Sequence, residues 1–466
     1  MAPAGVLYAG RQAELTGMNV LHLKKGYHLR LAGRPAADLE ILPRPAQLAV
    51  VPERLRFVKP QLLVKVGDRV RVGSVLFEDK RHPGVLYRSP GGGTVSAITL
   101  GPRRVIRAIV VELDAEEAFE EFAPLGREAL ESIERRELIE RLMAVGLWPL
   151  IKELPFRDAA RIDRKPPAVF VQLDNLDPFH PLPAVYLAGR EALFDYGIRM
   201  LERAAEAPVK VSALKESAAG LNGLKTRLTH VITGSYPAHD PGVLLYRIKR
   251  SAAENHAWYL SGQGLLLLAQ FLMTGRYPTE QTLSLAGPGA KHPRHVRARI
   301  GAPVAALSAG RSAAPGTRCI AGGVFTGSPA SADSFLNVEE TALVFLPEGA
   351  VSPPPFGWIM PGRDVPSYSR AFLSAFTPPR ERSMSCNRHG GLRACIQCGF
   401  CARVCPVDIL PQLTYKTVVA GEVEESLAHG LLDCVECGLC SFVCPSKIDL
   451  LQTLRRARET FYDDIA

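Results

Sequence analysis

Eight of the ten cysteines lie near the C-terminus in two copies of one spacing. The first copy is Cys395-Ile-Gln-Cys398-Gly-Phe-Cys401-Ala-Arg-Val-Cys405-Pro406, and the second is Cys434-Val-Glu-Cys437-Gly-Leu-Cys440-Ser-Phe-Val-Cys444-Pro445. Three cysteines separated by two residues can wrap one centre within a single tight loop. A fourth, three residues further on and followed by proline, points away from that loop. Pro406 and Pro445 fix φ and lack an N–H, which turns the chain after the last ligand. Gly399 and Gly438 stand where the backbone must come close to sulfur.

This is the bacterial-type pattern for a pair of [4Fe–4S] clusters. In two-cluster ferredoxins the fourth cysteine ligates the other cluster. Cys395, Cys398, Cys401 and Cys444 are therefore assigned to one cluster, and Cys434, Cys437, Cys440 and Cys405 to the other. Structural zinc would also use four cysteines per site, but a duplicated run ending in Cys-Pro is foreign to zinc ribbons. A disulfide framework would spread its cysteines through a secreted chain. Cys319 and Cys386 are left over and are read as inert. Between the two runs, Pro411 can open a helix, and Gly421 and Gly430 can end one. Residues 447–462 set Ile448, Leu450, Leu451 and Leu454 amid Arg455, Arg456 and Arg458, an amphipathic helical pattern. The cluster module is thus expected to be mainly α-helical.

The chain has 466 residues, too many for one core, and three or four domains are expected. No apolar run approaches the ~18 residues of a membrane span. Leu265–Met273 is the longest, contains Gln270, and reads as a buried helix. The opening Met-Ala-Pro-Ala-Gly does not resemble a secretory signal, and thiols needed for cluster assembly agree with a cytoplasmic setting. The net charge of +9 gathers at Arg103-Arg104, between Lys291 and Arg299, and at Arg380 and Arg382. A solvated basic surface explains this, as does docking to an acidic partner or an anionic membrane face. Nucleic acid is disfavoured, since no helix-turn-helix or aromatic-studded basic strand accompanies the charge.

Upstream of the cysteines the sequence divides into units. Residues 18–115 read as β, with alternating apolar positions on both sides of a Gly67-Asp68 turn that predicts a hairpin. A second half, Tyr87–Ile98, completes a two-part pattern like that of lipoyl/biotinyl-type barrel-sandwich domains. Lys80 lies near the predicted tip but lacks the flanking residues of a carrier lysine, so a structural module is expected. Gly91–Gly93 is followed by no Gly-Lys-Ser/Thr and is not a phosphate loop. Residues 116–290 alternate strands (Ala168–Val171, Val209–Ser212) with helices (Glu191–Ala204, and Gln263–Thr274 ended by Gly275), which predicts a Rossmann-like α/β domain. A small β-grasp-like unit is expected at 291–350, a proline-rich linker at 351–385, and the two-cluster ferredoxin domain at 386–466. The fold class is multidomain α+β.

This order resembles one family group: the A component of the Na+-translocating NADH:quinone reductase (NqrA) and the C component of the related Rnf complex. The likeness to NqrA is carried by Leu23-Lys-Lys-Gly26…Leu31-Ala-Gly33, by Leu76-Phe-Glu-Asp-Lys80…Pro83-Gly84-Val85, and by Leu283-Ser-Leu-Ala-Gly-Pro288…Pro293-Arg294-His-Val-Arg297. Two departures matter. NqrA proteins usually lack a full set of cluster ligands, whereas this chain keeps both runs, as the Rnf C component does. The Rnf C component carries a glycine-rich loop for a flavin phosphate, but the equivalent Val145–Phe156 has one glycine, and Trp148 and Leu150 would block a phosphate nest.

The resemblance implies a peripheral subunit on the cytoplasmic face of the membrane, within an ion-translocating oxidoreductase. Its expected cofactors are two [4Fe–4S] clusters, with no FMN or NAD in this chain and no catalytic residue of its own. Its expected partners are integral membrane and flavin-bearing subunits, with quinone at a subunit interface. An Rnf-type subunit that binds flavin and NADH, and a scaffold whose clusters only staple the tail, are the alternatives. His230, His239 and His256 read as turn or core residues rather than ligands, although His256 with Trp258 and Tyr259 could touch a quinone ring. Arg403, Lys416 and Lys447 would favour a reduced cluster if they lie close to it. No HExxH, nucleophile elbow or Walker loop is present, so hydrolase and kinase readings fall away.

Overall fold

The structure is a computed structural model, and it describes residues 18–312, 316–349, 380–387 and 390–465. Most of the expected linker, including Pro353, Pro361 and Pro379, lies outside the described residues.

The largest sheet has seven strands. In spatial order they are Asn19–Leu23, Leu228–Gly234, Val209–Leu214, Val169–Gln172, Trp258–Ser261, Lys152–Glu153 and Asp158–Ala159. The first five run parallel, and the last two are antiparallel additions. Helices Glu191–Ala205 and Gly262–Thr274 pack on it, as alternating strand and helix patterns require. Gly275 adopts φ 64° as a left-handed stop after the second of these helices. Gly197 lets the two helices approach, since a Cβ there would meet Leu265 at 2.7 Å.

Residues 47–113 form the barrel-sandwich. A four-stranded sheet (Gln47–Val50, Ile106–Leu113, Gly93–Leu100, Arg69–Val70) faces a three-stranded one (Pro60–Leu62, Val75–Asp79, Leu86–Arg88). Leu76, Phe77, Val95 and Ile109 fill the space between. The expected hairpin at Gly67-Asp68 is corrected. Pro60–Leu62 pairs with Val75–Asp79, whereas Arg69–Val70 pairs with Gly93–Leu100, so the turn is a corner between two sheets. The reason is local: Gly67 N–H donates to Val95 O, and Val95 N–H donates to Asp68 O. These bonds tie the turn to the second sheet rather than to its own flanks.

Two strands placed in the 18–115 unit from sequence belong elsewhere. Asn19–Leu23 forms the edge of the parallel sheet, and Ala36–Ile41 forms the edge of a third sheet. That third sheet runs Ser328–Ala330, Thr317–Ala321, Ala342–Pro347, Glu280–Ala286, Arg294–Arg299, Ala36–Ile41. It starts at Glu280 rather than at residue 291, because Glu280–Ala286 pairs along its length with Arg294–Arg299. Residues 380–387, of which 380–385 are read as linker from sequence, strap back onto the body. Arg382 N–H donates to Arg30 O, and Cys386 N–H donates to Pro347 O.

The C-terminal module is helical among its described residues, with helices Phe400–Val404, Pro411–Ala420, Val423–Ala428, Leu439–Phe442 and Leu450–Ile465. Pro411 opens its helix, and Gly421 closes it at φ 78°. No helix among the described residues is long and apolar enough to cross a membrane.

Candidate functional site

The two cysteine runs share a backbone. Gln397 and Glu436 have φ of 52° and 55°, Gly399 and Gly438 have 73° and 76°, and Asp408 and Lys447 have 58° and 56°. Each pair occupies the same place in its run. Left-handed residues this close together turn successive N–H groups inward, making the kind of concavity that holds anionic sulfur.

The cysteines line two separate cavities. One, of about 360 Å³, is walled by Cys395, Cys398, Cys401 and Cys444, with Gln412, Ile448 and Leu450. The other, of about 380 Å³, is walled by Cys405, Cys434, Cys437 and Cys440, with Val407, Leu451 and Leu454; Cys401 also reaches it. The last cysteine of each run thus faces the cavity of the other run. Burial pushes the Cys405 thiol up to about 11 and also raises the Cys437 and Cys440 thiols well above the ordinary range. N–H groups of Val407 and Ile409 at Cys405, and of Leu439 at Cys437, pull the other way. Thiols this reluctant to ionise become ligands only when a nearby cation supplies the charge, so a metal bound here would release protons and add to folding. Cys401 Sγ lies 3.1 Å from Gln412 Oε1. The residues fit iron–sulfur clusters: soft donors, N–H groups aimed at sulfur, and apolar walls.

The surroundings of the two cavities differ. Around the second, three guanidinium groups converge on Glu436 and a fourth lies close by. Arg56 lies 2.8 Å from it, Arg455 3.1 Å and Arg458 3.1 Å, while Arg157 bridges Asp240 at 2.8 Å and Val435 O at 3.2 Å. Arg458 has no exposed side-chain surface and donates to the carbonyls of Cys434 and Pro155. Burial alone would raise the Glu436 carboxyl; the guanidiniums overcome it and hold it down at about 2. Tyr236 Oη donates to Cys437 O at 2.7 Å, and its ring stacks on Phe325 at 4.6 Å. Asp408 and Asp433 pair with Lys25, Arg247 and Lys249 of the α/β domain at 2.7–3.0 Å. The second cavity is therefore sealed between the tail and the body.

The loop of the first run lies at the surface. Ile396 and Leu392 are 68 % and 73 % exposed. Gly399 has no atom within 4 Å of a built Cβ, whereas at Gly438 that Cβ meets Phe325 O at 2.9 Å. Arg403 lies over the Phe400 ring at 5.5 Å, and Lys416 is exposed on the helix that carries Gln412.

The other singled-out residues fall elsewhere. The indole of Trp148 is buried, donates to Ala160 O at 2.7 Å and meets Trp258 edge-on at 5.4 Å. Gly146, the one glycine of that stretch, serves a close approach to the barrel, where a Cβ would strike Leu86 O at 2.0 Å. His230 Nδ1 lies 2.8 Å from Thr229 Oγ1, and His256 Nδ1 is 2.9 Å from Arg164. His239 is buried beside the Tyr236 ring at 5.8 Å and is pushed down to about 4 by burial. Lys80 is exposed at the barrel surface.

The arginine cage escaped the sequence reading. Arg56 and Arg157 are 380 and 278 residues from their partners in the second run. A signal existed in Arg458, which continues the apolar series Leu451, Leu454 at helical spacing and so falls on the buried stripe. Also unforeseen was a cavity of about 930 Å³ between the α/β domain and the third sheet. Gln172, Asp174, His180 and Gln281 line it. His180 donates or accepts at Thr341 Oγ1 over 3.1 Å, and burial pushes it down to about 3.

Comparison with known proteins gives four family matches. Residues 21–114 match the NqrA N-terminal barrel-sandwich hybrid domain, 133–277 the NqrA second alpha/beta domain, 282–332 the NQRA C-terminal domain, and 392–449 a 4Fe-4S dicluster domain. Among curated relatives, the A component of the Na(+)-translocating NADH-quinone reductase of Klebsiella pneumoniae (strain 342) is 31% identical over 414 residues, covering 89% of this chain and 92% of that protein. The same component from Shewanella amazonensis is 31% identical over 413 residues, covering 89% and 92%. That of Neisseria meningitidis serogroup B is 31% identical over 416 residues, with the same coverage.

Proposed function

Because the chain belongs to the NqrA family of the Na+-translocating NADH:quinone reductase and carries a 4Fe-4S dicluster domain, we propose that it is an electron-carrying subunit of such a complex. In this reading Cys395, Cys398, Cys401 and Cys444 hold one [4Fe–4S] cluster, and Cys434, Cys437, Cys440 and Cys405 hold the other. The observation that carries it is the crossed distribution of these eight side chains between two cavities. A cluster held there supplies one-electron storage at a potential set by its surroundings. The chain's own part is to exclude water with Val407, Leu451 and Leu454, to aim N–H groups at sulfur, and to place the Arg458 cage beside the second site. The cage's fixed positive charge favours the more negative, reduced state there.

The subunit is read as peripheral, on the cytoplasmic face, with integral membrane and flavin-bearing subunits as partners and quinone at a subunit interface. It is not catalytic alone. Flavin and nicotinamide are assigned to other subunits, since Trp148 and Gly146 are committed to packing. The test is iron, sulfide and flavin analysis of the anaerobically purified chain, with low-temperature EPR after dithionite. Eight irons, no flavin and two reducible signals are expected at ~4 iron per cubane. Zinc in place of iron, or clusters that stay oxidised while the assembled complex turns over NADH, would refute electron transfer and favour a scaffold.

A further inference from the structure

The two cavities occupy unlike positions in the molecule, and this bears on where electrons cross its surface. The second is covered by the α/β domain through Tyr236, Arg157 and Arg247, and by Phe325 of the third sheet. The first has its loop at the surface: Leu392 and Ile396 are exposed there, and nothing lies within 4 Å of a Cβ built on Gly399. Neighbouring exposed aliphatic side chains are a place where a partner surface can make a dry contact.

Cations outnumber acids around that loop. Arg393, whose N–H donates to Ser446 O at the cavity wall, is exposed. So are Arg403, two residues after Cys401, and Lys416, one helical turn beyond Gln412. None of the three has an ion-pair partner among the described residues. Asp449, an acid flanking the wall, accepts from Ser441 Oγ at 3.2 Å and from Gln452 N–H. By contrast, the cations around the second cavity are paired with Glu436, Asp240, Asp408 and Asp433.

Resting on the function proposed above, we propose that the face formed by Leu392, Ile396, Arg393, Arg403 and Lys416 is the docking site for an acidic one-electron carrier protein. The apolar pair supplies a dry contact centre, and the three cations supply a rim that steers and orients a negatively charged partner. One electron crosses the contact: the carrier's centre loses it and the first cluster gains it, with no bond made or broken. The second cluster, sealed from solvent, then exchanges only with the first or with groups inside the complex.

The test uses the full-length, cluster-loaded chain and reduced plant-type ferredoxin, an acidic one-electron donor. Cluster bleaching is followed by stopped flow at low and high salt, with dithionite reduction, iron content and EPR as controls. The variant R393E/R403E/K416E is expected to slow reduction by ferredoxin about tenfold at low salt, with the difference shrinking at high salt. Iron content and EPR signals should match the parent. R103E/R104E, on the barrel, should leave the rate unchanged. Equal rates for the triple variant and the parent, with reducible clusters intact in both, would overturn the docking site while leaving the cluster reading standing. Loss of binding to phosphatidylserine vesicles in the triple variant, with no change in the ferredoxin rate, would overturn it in favour of a membrane face. A chain isolated without iron would refute the cluster reading and the docking site together.

Discussion

Two loops with matching φ angles at three equivalent positions meet opposite surroundings. The run at 395–405 lies at the surface beside cations with no ion-pair partner among the described residues, and the run at 434–444 lies inside a cage of paired ones. A repeated motif therefore specifies the local cradle, while the rest of the chain decides what each cradle experiences. For a redox centre, those surroundings set both the potential and the access.

The largest test of this contrast removes one ligand from each side. Cys440→Ala should abolish the second cluster and loosen the tail from the body, because that cavity underlies the Arg458, Tyr236 and Phe325 contacts. Cys395→Ala should abolish the first cluster and leave the docking of tail on body intact. Iron per chain and limited proteolysis of the tail separate the two outcomes. Equal proteolytic sensitivity would show that the cavities are not mechanically distinct.

Next in size is the cage. Arg458→Met leaves Glu436 buried with only Arg56 and Arg455 as partners, a loss smaller than the ~3–5 kcal/mol of a buried charge left with none. Thermal unfolding should report it. The second EPR signal should also move to lower potential while the first stays in place. If both signals shift together, the cage does not act locally.

A smaller effect is expected at the equivalent glycines. Ala at Gly399 incurs only the left-handed backbone penalty of about 1–2 kcal/mol, because nothing lies near its Cβ. Ala at Gly438 adds a 2.9 Å contact with Phe325 O. Denaturant melts of the two variants should therefore differ, with Gly438→Ala the less stable.

The last prediction concerns acid. His180 and His239 are held neutral by burial, at about 3 and about 4 against an ordinary 6.5. Their folded values are depressed, so the unfolded chain binds more protons, and stability is lost as pH falls from about 6.5 towards 4. Asp174 and Asp177, pushed up to about 6 by burial, act in the opposite sense and gain stability between about 6 and 4. His180→Gln should thus make the unfolding temperature less sensitive to acid over that range. An unchanged pH profile would show that His180 does not contribute.

What was legible in the sequence was local. Cysteine spacing, the Pro411 helix start, the Gly275 stop and the strand at 169–172 each depend on residues within one or two turns of each other. The Gly67-Asp68 turn was visible, but its strand partners were not, since pairing depends on residues 93–95 brought in from another sheet. The cage was hidden for the same reason. Arg56 looks like any surface arginine until Glu436 arrives from 380 residues away. Only Arg458, placed on an apolar stripe, carried a trace of its burial in its own neighbourhood.

Finally, the barrel is an insertion rather than a leading module. The strands on either side of residues 24–35 belong to two other sheets, so residues 19–41 stitch the body together before the barrel is made. A chain shortened to begin at residue 116 would strip an edge from both sheets and expose their neighbours at Leu228–Gly234 and Arg294–Arg299 to strand exchange with other molecules. Excising 47–113 keeps both edges in place, but it takes Arg56 out of the Glu436 cage. The order of units along the chain is a poor guide to where this protein can be cut.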